Sequence, residues 1–226
     1  MSWKSCALFS VLHAVFITSC GQELPRSAAG GVKGVAVPAL KWSKPQAIPI
    51  CWIEEDRYEP ELAAALRAVV EREYEGKTVI RFTGWKKCRS KTESVIRVRL
   101  TDEEEGSGIS IVGDPGKFLL DPPDGDGDET MRIGVASWPR KKGEILFAFL
   151  HEIGHAVGLD HEHERSDRTK VCTLGDTPFD EISPDGADNR VYVGPYDPKS
   201  VMHYCARGST LSKGDLEAIA FLYGKP

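Results

Sequence analysis

The chain has 226 residues and a formal net charge of −5, from 29 basic and 34 acidic side chains. That length gives room for one well-buried domain, or a small two-lobed one. The acidic balance argues against a nucleic-acid partner held through its phosphates.

The N-terminus reads as an export signal. Lys4 gives a sparse positive start, and residues 7–18 form an apolar run too short to span a membrane. The run ends in Ile17-Thr18-Ser19-Cys20-Gly21, which resembles the lipobox of bacterial lipoproteins: apolar, small, small, then the cysteine to be acylated. Two outcomes fit. Lipidation of Cys20 would anchor the chain to a membrane, and ordinary cleavage near Ser19 would release it as a secreted protein. Either takes the mature chain out of the cytoplasm. Residues 21–44, rich in Gly, Ala and Pro, read as a tether, which leaves 45–226 for the folded domain.

Strands are expected at 48–53, 78–82, 95–100, 108–112 and 132–136. The third alternates Val95, Arg97 and Arg99 against Ile96, Val98 and Leu100. An alanine-rich amphipathic helix is expected over 60–74. Residues 144–157 are apolar nearly all round and predict a buried helix. A last helix runs from 212 to 223, with Ser212 as its cap and Asp215 in its first turn. No internal repeat is visible. The order is α+β: a twisted mixed sheet with helices above, an irregular lower lobe, and a cleft between them.

The basic run Lys86-Lys87-Cys88-Arg89-Ser90-Lys91 and the acidic run Asp102-Glu103-Glu104-Glu105 read as solvated loops. The segment Asp124-Gly125-Asp126-Gly127-Asp128 fails the EF-hand pattern, since Glu129 stands at the glycine position and Val135 at that of the bidentate acid. It reads as a flexible acidic turn. Trp42, Trp52, Trp85 and Trp138 read as packing residues. Cys6 lies in the signal and Cys20 at its end, leaving Cys51, Cys88, Cys172 and Cys205 for two disulfides. Three connectivities are open. Cys51–Cys88 with Cys172–Cys205 is preferred, because each bridge then stays within one lobe.

The most informative stretch runs from His151 to His161: His-Glu-Ile-Gly-His-Ala-Val-Gly-Leu-Asp-His. On a helix, residues four apart share a face with β-carbons about 5–6 Å apart. The imidazoles of His151 and His155 can therefore meet one metal ion. His161 cannot join them on the same helix, where six residues would carry it roughly 9 Å along the axis. The chain has to turn, and Gly158 can adopt the positive φ that ends a helix. Three histidines with an open position describe a catalytic zinc site holding one Zn²⁺. Glu152, beside the first histidine, is placed to act as a base and not as a ligand.

Downstream lies Ser200-Val201-Met202-His203-Tyr204, placed as the methionine turn of the metzincin proteases would be. Together with His161-Glu162-His163-Glu164-Arg165-Ser166-Asp167-Arg168, this turn makes the chain resemble the astacin family of zinc metalloproteases over residues 144–223. The resemblance implies a zinc metalloendopeptidase acting on protein or peptide substrates, with Glu152 assisting attack of zinc-bound water. It implies that Tyr204 is a fifth ligand of the resting metal that swings to stabilise the oxyanion, and that Met202 floors the three imidazoles. The three-histidine set being complete, His163 and His203 read as supporting residues. In astacins the glutamate at the position of Glu162 is linked to a buried N-terminus made by propeptide removal. The short stretch between Cys20 and Ile48 leaves little room for a propeptide, so the role of Glu162 stays open. Residues 108–112 are the candidate sheet edge for holding substrate extended by main-chain hydrogen bonds. A monomer is expected. Two other classes remain: a catalytically silent zinc-binding adhesion module, and a zinc hydrolase of cell-wall peptide amides.

Overall fold

The structure, a computed structural model, describes residues 34–53, 59–89, 94–103, 108–117, 129–174 and 177–226. The signal region with Cys6 and Cys20 lies outside the described residues, as does the acidic turn at 124–128. No helix among the described residues is long and apolar enough to cross a membrane.

A five-stranded sheet forms the upper lobe. Its central strand β2 (Ile48–Trp52) lies between β3 (Phe82–Lys87) and β4 (Ile96–Thr101), both parallel to it. Beyond β4 comes the parallel strand β6 (Met131–Gly134), and β5 (Gly108–Ser110) closes that side as an antiparallel edge. Helix α1 (Pro60–Val70) starts with proline at a position where the missing N–H costs nothing, and buries Leu62, Leu66, Val69 and Val70 on one face. It runs on into a π-helical turn at Glu71–Glu75 that buries Glu73 and Tyr74. Helix α2 (Lys142–Ala156) is buried without interruption from Phe147 to Ala156, so its apolar surface is used on every side. Side chains of the sheet, α1 and α2 form one hydrophobic core.

The lower lobe is irregular, as expected. It holds a hairpin of β7 (Cys172–Leu174) and β8 (Thr177–Phe179), a short strand β9 (Val191–Tyr192), and the closing helix α3 (Lys213–Tyr223). Ser212 caps α3 in a capping box with Asp215. The disulfides are Cys51–Cys88, between β2 and the end of β3, and Cys172–Cys205, between the hairpin and the segment before α3.

Two expectations need correcting. The strand placed at 78–82 begins instead at Phe82. Thr78 closes the preceding helix, with its N–H and hydroxyl both donating to Tyr74 O (2.9 and 2.7 Å). The strand then passes through Gly84 and Trp85, both at positive φ, where its register against β2 shifts. Lys86 and Lys87 therefore lie on this strand, not in a loop, with exposed side chains. The second correction concerns the tether. From residue 34 onward the chain packs on the domain: β1 (Val35–Ala36) pairs antiparallel with β9, and Val35, Ala36, Val37 and Trp42 are buried. Three small apolar residues that find a strand to pair with are better buried than solvated. Trp42 also donates its indole N–H to Ala156 O at 2.7 Å, the last carbonyl of α2. Trp52 and Trp85 are buried in the core, and Trp138 packs against it.

Candidate metal centre

His151 and His155 sit on the last two turns of α2, 4 % and 6 % exposed. The helix stops in a Schellman arrangement: Gly158, at φ 92°, donates to His155 O (2.8 Å) and Leu159 donates to Gly154 O (2.9 Å). The reversal brings His161 back, so that its Nε2 stands 3.0 Å from His155 Nε2. One ligand atom from each of the three histidines lies within 4.8 Å of the others.

Hydrogen bonding fixes which nitrogen of each ring carries the proton. His151 Nδ1 donates to Val201 O (2.8 Å) and His155 Nδ1 to Leu159 O (3.1 Å), since a carbonyl can only accept. His161 Nδ1 donates to Glu164 Oε1 at 2.6 Å. In neutral rings Nε2 then keeps its lone pair, and lone pairs of His155 and His161 facing each other across 3.0 Å repel unless a cation lies between them. The donor set fits zinc, which takes neutral imidazole nitrogens and tolerates an open fourth position. Burial and the neighbouring imidazoles oppose protonation: they hold His151 well below the usual histidine range and His155 down at about 3.

Glu152 is 5 % exposed, and its Oε2 has no hydrogen-bond partner among the described residues. Burial pushes its carboxyl up to about 8. The first residue of β5 lies against it: a β-carbon on Gly108 would stand 2.5 Å from Glu152 Oε1. Tyr204 packs its ring on His151, His161 and His163, with centroids 5.4, 4.7 and 4.1 Å away. Burial, then the Glu152 carboxylate, raises its phenol to about 12, so the hydroxyl keeps its proton. Met202 lies under the helix, close enough that a β-carbon on Gly154 would meet its Sδ at 2.2 Å.

The turn carrying Met202 is held by Asp215. This buried carboxylate accepts from Ser200 Oγ (2.6 Å) and from the N–H groups of Val201 (2.9 Å) and Ser212 (2.8 Å). The carbonyl that orients His151 is therefore fixed from the N-terminus of α3. Glu162 Oε1 accepts from Asp197 N–H (2.6 Å) and lies 3.6 Å from the Arg165 guanidinium. Burial lifts Glu162 to about 8 although Arg165 pulls the other way. His203 has both nitrogens engaged, by Cys205 N–H (3.0 Å) and the Tyr196 hydroxyl (2.5 Å). His163 is buried between the rings of His161, Tyr204 and His203.

The family model described as Astacin, a peptidase family, matches residues 35–220. The chain belongs to the astacin family. Among its relatives, Astacin-like metalloprotease toxin 2 of Loxosceles intermedia is 31% identical over 142 residues, which cover 59% of this chain and 45% of the toxin. The Dorsal-ventral patterning protein tolloid of Drosophila melanogaster is 33% identical over 88 residues, 35% of this chain and 8% of tolloid. The chain thus spans less than half the length of these relatives. Myroilysin shares the fold at a TM-score of 0.62 and 20% identity, with 85% of this chain and 100% of myroilysin covered. High choriolytic enzyme 1, a hatching enzyme zinc-protease from Oryzias latipes, does so at 0.52 and 20%, over 82% of this chain and 94% of the enzyme.

Four contributors to the site escape a reading by motif. Asp215 is visible in sequence only as a helix cap, and the carbonyls of Val201 and Leu159 leave no trace in residue type. Gly108 is placed by sheet pairing alone. Glu164 did leave a signal, the spacing of three from His161 in a tight turn.

Proposed function

We propose that this astacin-family chain is a zinc endopeptidase whose protein or peptide substrate lies along β5. The observation that carries the reading is the convergence of three histidine nitrogens, with the next residue after the first histidine, Glu152, buried and its Oε2 without a partner among the described residues. His151, His155 and His161 would hold the metal. Zinc bound there supplies Lewis acidity, acidifying water and polarising the scissile carbonyl.

The chain's own residues do the rest. In its ionised form Glu152 takes a proton from the attacking water, and burial raises the proton affinity of that carboxylate. As the C–N bond breaks, the same carboxyl returns that proton to the leaving amine nitrogen. Tyr204, whose phenol keeps its hydrogen, donates to the oxygen that gains negative charge. Among the described residues β5 has no partner on its outer side, and Ile109, 54 % exposed, points away from the core. An extended peptide added there lies beside Gly108, hence beside Glu152. The intact pair of Glu152 and Tyr204 counts against a silent adhesion module.

Purified protein should contain about one zinc per chain, measured by atomic emission. Glu152→Gln should keep that zinc and the melting temperature while losing hydrolysis of a denatured protein substrate. Zinc retained at full stoichiometry when all three histidines are alanine would refute the site, and near wild-type turnover in Glu152→Gln would refute the mechanism. Two disulfides fit an exported chain. Anchoring through Cys20 is checked by fractionating bacterial cells that express the full chain or Cys20→Ala.

A further inference from the structure

The three imidazoles are not oriented alike. His151 and His155 give their Nδ1 protons to backbone carbonyls, whereas His161 gives its proton to a carboxylate. The local cause is the 3-10 turn Glu162–Glu164, which places residues three apart one above the other, so that Glu164 comes back over His161. Glu164 is itself held. Its Oε2 accepts from Ser183 Oγ (2.8 Å) and lies 3.5 Å from Arg190 Nη1, while Arg190 Nε reaches Asp160 Oδ2 at 2.5 Å. Asp160 in turn accepts from the His161 N–H at 2.7 Å through its other oxygen. Ser183 N–H also donates to Glu164 O (2.8 Å). The third histidine is thus enclosed on its far side by one polar ring, Glu164–Arg190–Asp160, tied at Ser183 to the lower lobe.

We propose that Glu164 is a positioning residue for the metal, fixing His161 with its Nε2 lone pair inward and strengthening that nitrogen as a donor. The inference rests on the zinc reading above. His161 needs such a device more than its two companions do, because it lies beyond the end of α2 in a turn, whereas the helix already aims the other two rings. A carboxylate behind a ligating imidazole lends it basicity and neutralises part of the cation's charge. The third ligand is also wired to residues 183–190, so a movement of that segment reaches the metal through Ser183 and Arg190.

The test measures zinc affinity of metal-free protein by competition with a chromophoric chelator, alongside the melting temperature of the metal-free form. Glu164→Ala should weaken zinc binding about 10- to 100-fold. Glu164→Gln, which keeps the shape and an oxygen able to accept from Nδ1 but not the charge, should fall between Glu164→Ala and wild type. Ser183→Ala, which frees one oxygen of Glu164, should weaken binding less than either. The metal-free melting temperature of Glu164→Gln should stay near wild type, which separates positioning from a merely structural role. Wild-type affinity in Glu164→Gln and Glu164→Ala would overturn the proposal; if Glu164→Ala does not fold, Glu164→Gln decides alone. Wild-type protein that takes up no stoichiometric zinc would instead overturn the proposed function itself.

Discussion

Tyr204 and Gly108 both adjoin the proposed reactive centre, and each can be altered while the three imidazoles are kept. Tyr204→Phe keeps the ring that packs on His161 and His163 but removes the hydrogen offered to the developing oxyanion. Loss of one such donor costs about 10²–10³ in turnover. The expected result is a kcat lowered to that extent, with KM and zinc content nearly unchanged, because the interaction forms mainly in the transition state. An unaltered kcat would make Tyr204 a packing residue. Gly108→Ala tests the other side. Its added carbon meets Glu152 Oε1 at 2.5 Å and Cγ at 2.8 Å, so the glutamate side chain has to move. A flexible side chain yields at little cost to the fold, so turnover should drop while the melting temperature and zinc content hold. Loss of stability without loss of specific activity would show that Gly108 matters for packing alone.

Among the elements, the π-helical turn after α1 is the one that reaches furthest. It turns Tyr74 inward, where the phenol donates to Leu150 O (2.9 Å), one residue before the first histidine. It also buries Glu73. Burial alone would raise that carboxyl, but hydrogen bonds from Lys77 (2.6 Å), Arg72 (2.8 Å) and Leu211 N–H (2.9 Å) outweigh it and hold Glu73 below its ordinary value. A carboxylate depressed in the folded state stabilises above its unfolded pKa of about 4.3, and that stabilisation is lost as pH falls through the folded value. Both cationic partners are partly exposed, so the effect is of the order of 1 kcal/mol. Glu73→Gln should therefore melt below wild type at pH 7, with the gap closing as pH falls through the lowered folded value; a gap independent of pH would exclude the charge as its cause. The elements differ in how plainly they could be read. α2 announced itself by apolar residues on every side, and α3 by its cap. β3 was displaced because nothing in Thr78–Val79–Ile80 reveals that Thr78 is taken by the helix behind it. β1 was hidden by composition, since glycine, alanine and proline suit a tether and a two-residue strand has no period. The site divides similarly: histidines spaced along one local stretch are legible, whereas Gly108 and Asp215 arrive from distant parts of the chain.

At the scale of the whole molecule the two disulfides divide the labour. Cys51–Cys88 braces β2 against the end of β3 in the upper lobe, and Cys172–Cys205 ties the hairpin to the residue after Tyr204. Loss of a bridge typically costs about 2–4 kcal/mol. Replacing both cysteines of the first pair by serine should lower the melting temperature and leave kcat in place. Replacing both of the second pair should lower the melting temperature and also kcat, because the tyrosine loses the anchor on its C-terminal side. Equal kcat values in the two double variants would separate that bridge from the chemistry. One further property follows from the strand that opens the described chain. Gly34 O receives Val193 N–H (2.6 Å) and Arg165 Nη1 (3.0 Å), Val35 O receives Asp160 N–H (3.1 Å), and Val37 N–H reaches Gly158 O (2.9 Å). Its first bonds are therefore to residues near position 160 and beyond 190, which a ribosome, or an export channel threading the N-terminus first, delivers last. Such long-range pairings also form slowly. The segment around His161 consequently gains its final supports only when most of the polypeptide has emerged, and a metal ion arriving earlier would find two imidazoles set by a local helix and the third still in search of its place.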